Sequence, residues 1–214
     1  MRKADIAEFF RRLATDNPEP RGELDYLNPY TLLVAVVLSA QATDVGVNKA
    51  TDALFKLADT PEKMLALGEA RLKDCIRTIG LYNTKARNII RLSEILVKEH
   101  QGSVPDRRAA LEALPGVGRK TASIVLNDAF GYPAIAVDTH IFRLANRTGL
   151  ARGKTGKTPE AVADRLEAIV PASYKPHAHH WLILHGRHVC KARKPDCPNC
   201  VVSELCAYGA KTTV

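Results

Sequence analysis

No apolar stretch of this 214-residue chain reaches the length of about 18 residues that reads as a membrane span, so nothing in it is expected to cross a bilayer. It also lacks an internal repeat period and any low-complexity block, which sets aside solenoids and disordered tracts. Acidic residues are in deficit: 23 Asp and Glu stand against 31 Lys and Arg, a net charge of +8 and a pI near 9.3. That balance indicates an anionic partner and would serve DNA, RNA or an acidic membrane equally well. Met1-Arg2-Lys3 does not open a secretory signal, so a soluble, intracellular chain is expected. Its length allows one large core or two modest ones.

Convincing strands are lacking as well. Asn28-Pro29, Thr60-Pro61-Glu62 and Thr158-Pro159-Glu160 each join an N-cap residue to a proline at the first helical position, and each precedes an apolar run. Gly80, Gly102 and Gly131 sit where helices would stop. The valine-rich run 31–38 could be a strand by composition, but its capping pair and its lack of period-two alternation predict a buried helix. The expected fold class is all-α.

The segment Leu114-Pro115-Gly116-Val117-Gly118-Arg119-Lys120-Thr121-Ala122 places a glycine-hinged turn directly before a helix. Pro115 cannot continue the preceding helix, and Gly116 and Gly118 are expected to take positive φ and to let the backbone approach a partner closely. The main-chain N–H groups of Gly118 and the first helical residues then form an anion site suited to a nucleic-acid backbone. An ammonium is disfavoured at the positive end of a helix, and a neutral amine at Lys120 is a nucleophile that can form a Schiff base. The alternative reading makes Lys120 one more phosphate contact.

Cys190, Cys197, Cys200 and Cys206 follow the pattern C-x6-C-x2-C-x5-C, with Cys75 far away in a helical stretch. Four thiols in so short a span read as a metal site rather than a disulfide framework. Spacing leaves tetrahedral zinc and an iron–sulfur cluster both open, although zinc more often uses two C-x-x-C pairs and this tract has one. Asp138, eighteen positions after Lys120, precedes the amphipathic run from Thr139 to Asn146 and is either a helix N-cap or a carboxylate that serves Lys120. Five of the seven histidines lie between His177 and His188. Packing and hydrogen bonding are the expected roles for them, because the four thiols already make a complete ligand set.

Jointly, these segments resemble the endonuclease III family, bifunctional DNA glycosylases with abasic-site lyase activity in the helix-hairpin-helix superfamily. The match runs from Leu32 to Asp44 through Thr78–Asn83, the hairpin, Ala136–His140 and His180–Gly186 to the four cysteines, nearly the whole chain in family order. The resemblance implies a two-domain fold. A six-helix domain would span 22–132, with the helix-hairpin-helix at about 108–130. A helical domain of 1–21 and 133–214 would carry a [4Fe-4S] cluster on the cysteines of 190–206. It further implies a groove between the domains, Lys120 as nucleophile and Asp138 as its assisting carboxylate. Gln41 would fill the void left by an extruded nucleotide and Leu81 would wedge the opposite strand. Gly116, Gly118, Arg119 and His140, together with Lys191, Arg193 and Lys194 of the loop between the first two cysteines, would contact DNA. The partner implied is double-stranded DNA holding an oxidised pyrimidine or an abasic site, and the protein would be a monomer in the cytoplasm, associated with the nucleoid. Two other readings remain at this point: a monofunctional mismatch or adenine glycosylase of the same superfamily, and a non-catalytic DNA-binding iron–sulfur module.

Overall fold

The computed structural model describes residues 1–212, and among them there is no strand. Residues 213 and 214, the last two of the expected second domain, lie outside the described residues. Ten α-helices run in order: α1 (Lys3–Asp16), α2 (Pro29–Ser39), α3 (Asp44–Leu57), α4 (Pro61–Ile76), α5 (Tyr82–His100), α6 (Arg108–Glu112), α7 (Arg119–Phe130), α8 (Thr139–Thr148), α9 (Pro159–Ile169) and α10 (Lys175–Leu184). The last continues into a π-helical turn, His185–Val189. No helix is long and apolar enough to cross a membrane among the described residues. The chain divides into two compact units, one of Glu23–Phe130 and the other of Met1–Gly22 with the chain from Gly131 onward.

In the unit Glu23–Phe130, α2 is the central element. A helix that is apolar on every side must be enclosed, and Leu32, Leu33, Val34, Ala35 and Leu38 have no exposed surface at all. Helices α3, α5 and α7 pack around it, and α4 packs on α3 and α5. The start of α2 is fixed by a reciprocal capping box. The Thr31 N–H donates to Asn28 Oδ1 at 2.9 Å while the Asn28 N–H donates to Thr31 Oγ1 at 2.9 Å. Asn28 Nδ2 also donates to the Asp59 carbonyl just before α4. Thr60 and Thr158 cap α4 and α9 more simply, each side chain accepting from the N–H three residues on, and each ahead of a proline. Residues 31–38 are therefore helical in spite of their valines, because the cap sets the helical start and burial on all sides removes the need for a polar face.

The other unit closes around α1, α8, α9 and α10. Phe9, Phe10, Ile141, Leu144, Val162, Leu166 and Leu182 are fully buried there. Trp181 is buried with its indole N–H donating to the Asn17 carbonyl at 2.7 Å, so its one polar atom is satisfied. Gly186 lies on the start of α8, where a Cβ would stand 3.0 Å from the His140 carbonyl oxygen. A side chain at that position would crowd the start of α8, and glycine lets the π-helical turn approach it closely.

Replacing Asn28 with alanine removes the capping oxygen and the tie to Asp59. The expected loss is about 1 kcal/mol, which lowers the melting temperature by about 2–4 °C for a chain of this size. Thermal unfolding followed by circular dichroism measures this; an unchanged midpoint would show that packing alone sets the start of α2.

Candidate functional site

Helices α6 and α7 form the hairpin, and Arg108 ties them together by donating from Nη1 to Ser123 Oγ at 2.8 Å. Gly116 has φ +80°, and a Cβ there would come within 2.9 Å of the Asn88 amide. Gly118 differs from expectation. It is not among the positive-φ glycines, and nothing lies within 4 Å of where its Cβ would be. Neither its backbone conformation nor any neighbour in the chain requires glycine at that position. The Gly118 carbonyl accepts the first bond of α7, from the Ala122 N–H at 2.9 Å. The N–H groups of Arg119, Lys120 and Thr121 thus precede the helical ladder, and the side chains of Arg119 and Lys120 are exposed beside them. An exposed amine at the positive end of a helix, next to a cleared main-chain surface, can meet a phosphate and the sugar attached to it.

Gln41 and Leu81 occupy neighbouring loops of the same unit. A Cβ on Gly80 would lie 3.9 Å from the Gln41 carbonyl oxygen. Gln41 is exposed at φ +56°, and Leu81 precedes α5 at φ +60° with 60% of its surface exposed. Non-glycine residues in the left-handed region cost of order 1–3 kcal/mol and persist only where their surroundings hold them. One of those surroundings is Lys85, a residue that the sequence pattern did not single out. It is buried, and its Nζ donates to the Leu38 carbonyl at 2.9 Å and the Ala40 carbonyl at 2.6 Å. Burial pushes its pKa below the ordinary lysine value.

Asp138 lies in the other unit and caps α8. Its Oδ1 accepts from the N–H of His140 at 2.9 Å and of Ile141 at 2.8 Å. Both bonds fall on one oxygen, so the half-buried carboxylate keeps Oδ2 for a further partner. The N-cap and the carboxylate readings of this residue are therefore compatible. His140, half-buried in the first turn of α8, has its Nδ1 3.3 Å from Arg143 Nη2. Arg143 in turn donates to the carbonyls of Cys190 at 2.9 Å and Gly186 at 2.6 Å.

The four cysteines line a single cavity with Leu144, His185 and Tyr208. Polar groups reach their sulfurs. Arg147 Nη1 lies 3.7 Å from Cys190 Sγ, the Tyr208 N–H 3.5 Å from Cys206 Sγ and His185 Nε2 3.4 Å from Cys200 Sγ. Burial pushes the Cys200 thiol up to about 11 and raises Cys206 as well. Burial also drives His185 down to about 4. Among the described residues no three His, Cys, Asp or Glu side chains are grouped so that they could hold a metal ion, although the four thiols line one cavity. Cys75 is half-buried on α4, in the other unit.

The loop between the first two cysteines exposes Lys191, Arg193 and Lys194 over a buried Pro195. Arg147 grips it from α8 by donating to the Lys191 carbonyl at 2.7 Å and the Ala192 carbonyl at 3.0 Å. Its guanidinium also stacks 4.6 Å from the centre of the Tyr208 ring. Protein groups, and not the cysteines alone, therefore hold the loop. Arg143, Arg147 and His185 act across more than ten residues of sequence, and only the amphipathic pattern of α8, with both arginines opposite Ile141, Leu144 and Ala145, hinted at them.

Comparison with known proteins agrees with this geometry. The family model for the HhH-GPD superfamily base excision DNA repair protein matches residues 34–172. Endonuclease III of Escherichia coli (strain K12) is 56% identical over 214 residues, covering 100% of both chains. Among solved structures, a trapped endonuclease III–DNA covalent intermediate is 44% identical with a TM-score of 0.88, covering 96% of each chain. A thermostable thymine-DNA glycosylase is 27% identical with a TM-score of 0.79, covering 96% of this chain and 94% of that one. A family match over more than half of the residues, with a relative this similar from end to end, leaves one assignment: the chain belongs to the HhH-GPD superfamily of base excision DNA repair proteins.

Proposed function

We propose that this chain is a bifunctional DNA glycosylase that removes oxidised pyrimidines from double-stranded DNA and then cleaves the abasic site as a lyase. The observation that carries this reading is the exposed Lys120 amine at the start of α7, in a chain 44% identical to an endonuclease III that was trapped as a covalent intermediate with DNA. A monofunctional glycosylase needs no amine at this position, and a non-catalytic module needs none either.

The Lys120 amine attacks C1′ of the damaged nucleotide. The new C1′–N bond forms as the bond to the base breaks, and the base departs with the electron pair and a proton. Ring opening gives an imine, which acidifies the C2′ proton; loss of that proton expels the 3′ phosphate oxygen by β-elimination. Water then hydrolyses the imine and frees Lys120. Asp138 is the carboxylate assigned to take up the amine proton and to stabilise the cationic sugar, using the oxygen that the α8 cap leaves available. Gly116, Gly118 and Arg119 hold the phosphate beside the sugar, and His140, Lys191, Arg193 and Lys194 contact DNA elsewhere, setting position rather than base identity. Gln41 fills the vacated stack and Leu81 wedges the opposite strand. Oxidised or saturated pyrimidines stack poorly and are the easiest to extrude. Such an enzyme works where the chromosome lies, in the cytoplasm at the nucleoid.

The cysteines fit a [4Fe-4S] cluster. Four thiols line one cavity, and N–H donors sit against two of their sulfurs, an environment that suits such a centre. When bound, the cluster supplies no bond-making step and fixes the basic loop as a unit.

Lys120→Gln is expected to abolish strand cleavage and the borohydride-trapped adduct on abasic DNA while duplex binding persists; a surviving adduct would place the nucleophile elsewhere. For Asp138→Asn, the cap is kept because Asn also caps well, so the melting temperature should hold while single-turnover base excision slows by about 10²–10⁴-fold. Full activity in that variant would leave Asp138 a purely structural role. The purified protein should be yellow-brown with about four iron atoms per chain. A colourless protein holding one zinc would overturn the cluster assignment.

A further inference from the structure

Lys85 is a lysine placed where lysines seldom go: it is only 5% exposed and faces no carboxylate. Its ammonium bonds instead to two main-chain carbonyls 47 and 45 residues away, those of Leu38 and Ala40. Lys85 supplies the donor for two of the carbonyls at the end of α2. Leu38 and Ala40 accept from Lys85, and Ser39 accepts from the Ala42 N–H at 3.0 Å. A positive charge at this end of α2 also matches the helix dipole. The next residue after Ala40 is Gln41, held at φ +56°.

The same residue reaches the second loop through its backbone. The Lys85 N–H donates to the Leu81 carbonyl at 3.0 Å, the first bond of α5, and Leu81 is itself held at φ +60°. One residue therefore fixes the residue before Gln41 by its side chain and Leu81 by its main chain. The lowered pKa of Lys85 follows from the same burial.

We propose that Lys85 is a positioning residue for nucleotide extrusion, setting the separation of the Gln41 turn and the Leu81 turn so that both enter the duplex together. This rests on the reading of Gln41 as the residue that fills the vacated stack. Lys85 touches no substrate. Its effect is confined to the step in which a stacked base must be displaced, because an abasic nucleotide has no base to unstack.

The test compares one duplex carrying a saturated pyrimidine with one carrying a preformed abasic site, under single turnover. Lys85→Met keeps the length and apolar stem and deletes the donors. Base excision should fall about tenfold to a hundredfold, as for a misplacement of about 1 Å, while abasic-site cleavage stays near the parent rate. Lys85→Arg, which restores donors to the carbonyls, should recover most of the loss. Hydrogen exchange should show faster exchange at residues 40–44 in Lys85→Met and unchanged protection in α7 and α8. Gln41→Ala serves as the reference, and the double variant with Lys85→Met should be no slower than Gln41→Ala alone. If Gln41→Ala excises normally, the stack-filling reading is wrong and the proposal fails with it. Where Gln41→Ala is impaired but Lys85→Met is not, only the Lys85 proposal fails. Equal loss of both activities in Lys85→Met, with exchange raised throughout Glu23–Phe130, would likewise overturn it by making Lys85 a general stabiliser.

Discussion

Each α-helix leaves main-chain N–H groups at its start and carbonyls at its end without a partner in the helix, and in this chain the treatment of those groups decides where chemistry can occur. At α2 a capping box closes the start, and two bonds from Lys85 help close the end, so the helix disappears into the core. At α7 the opposite holds, since a glycine without neighbours within 4 Å stands before the first turn and leaves its surface clear. At α8 the solution is intermediate. Asp138 satisfies two N–H groups with one carboxylate oxygen and keeps the other. A phosphate needs N–H groups to bind and a reacting amine needs a carboxylate that is fixed in place, so the open end and the half-used cap suit the roles proposed for Lys120 and Asp138.

What was legible in the sequence is what depends on neighbours in sequence. Asn28-Pro29, Thr60-Pro61 and Thr158-Pro159 announce helix starts because the cap acts on an N–H three residues on, and Asp138 was readable as a cap for the same reason. The Gly116 turn was legible too, through the steric demand of a positive φ. Gly118 was misread in its backbone conformation, since a glycine that takes positive φ and one that does not look alike in sequence. Lys85 was invisible and Arg143 and Arg147 were no more than hinted at, because the carbonyls they reach lie 43 to 47 residues away. For a lysine on a helix the default place is the solvent, and nothing local tells that Lys85 points inward to Leu38.

The cysteine loop shows how one part of the fold is fixed twice. Sequence spacing alone would have the loop 191–196 held by its flanking thiols. The structure adds Arg147, whose guanidinium fork meets two successive loop carbonyls and rests on Tyr208. It also adds Arg143, which reaches the Cys190 carbonyl from the same helix. Both arginines stand on α8, which begins at Asp138, so a displacement of the cysteine loop is felt along the helix whose start carries the proposed catalytic carboxylate. Burial raises the Cys200 and Cys206 thiols, and metal ligation requires thiolates, so the metal part of this arrangement is coupled to loss of their protons. The arginine contacts have no such condition.

Strain is kept apart from this apparatus. Gln41 and Leu81, the residues assigned to enter DNA, both take left-handed backbone conformations that cost non-glycine residues free energy. A glycine at either place would relieve the backbone and forfeit the side chain that enters the stack. The chain instead keeps Gln and Leu and braces them from behind, with Lys85 beneath both turns and fully buried α2 as the support. A side chain that must be inserted into a stacked duplex works against a cost of a few kcal/mol. A rigid base lets that cost fall on the DNA rather than on the loop, and in the proposed reading Lys85, the buried ammonium beneath both turns, supplies that base.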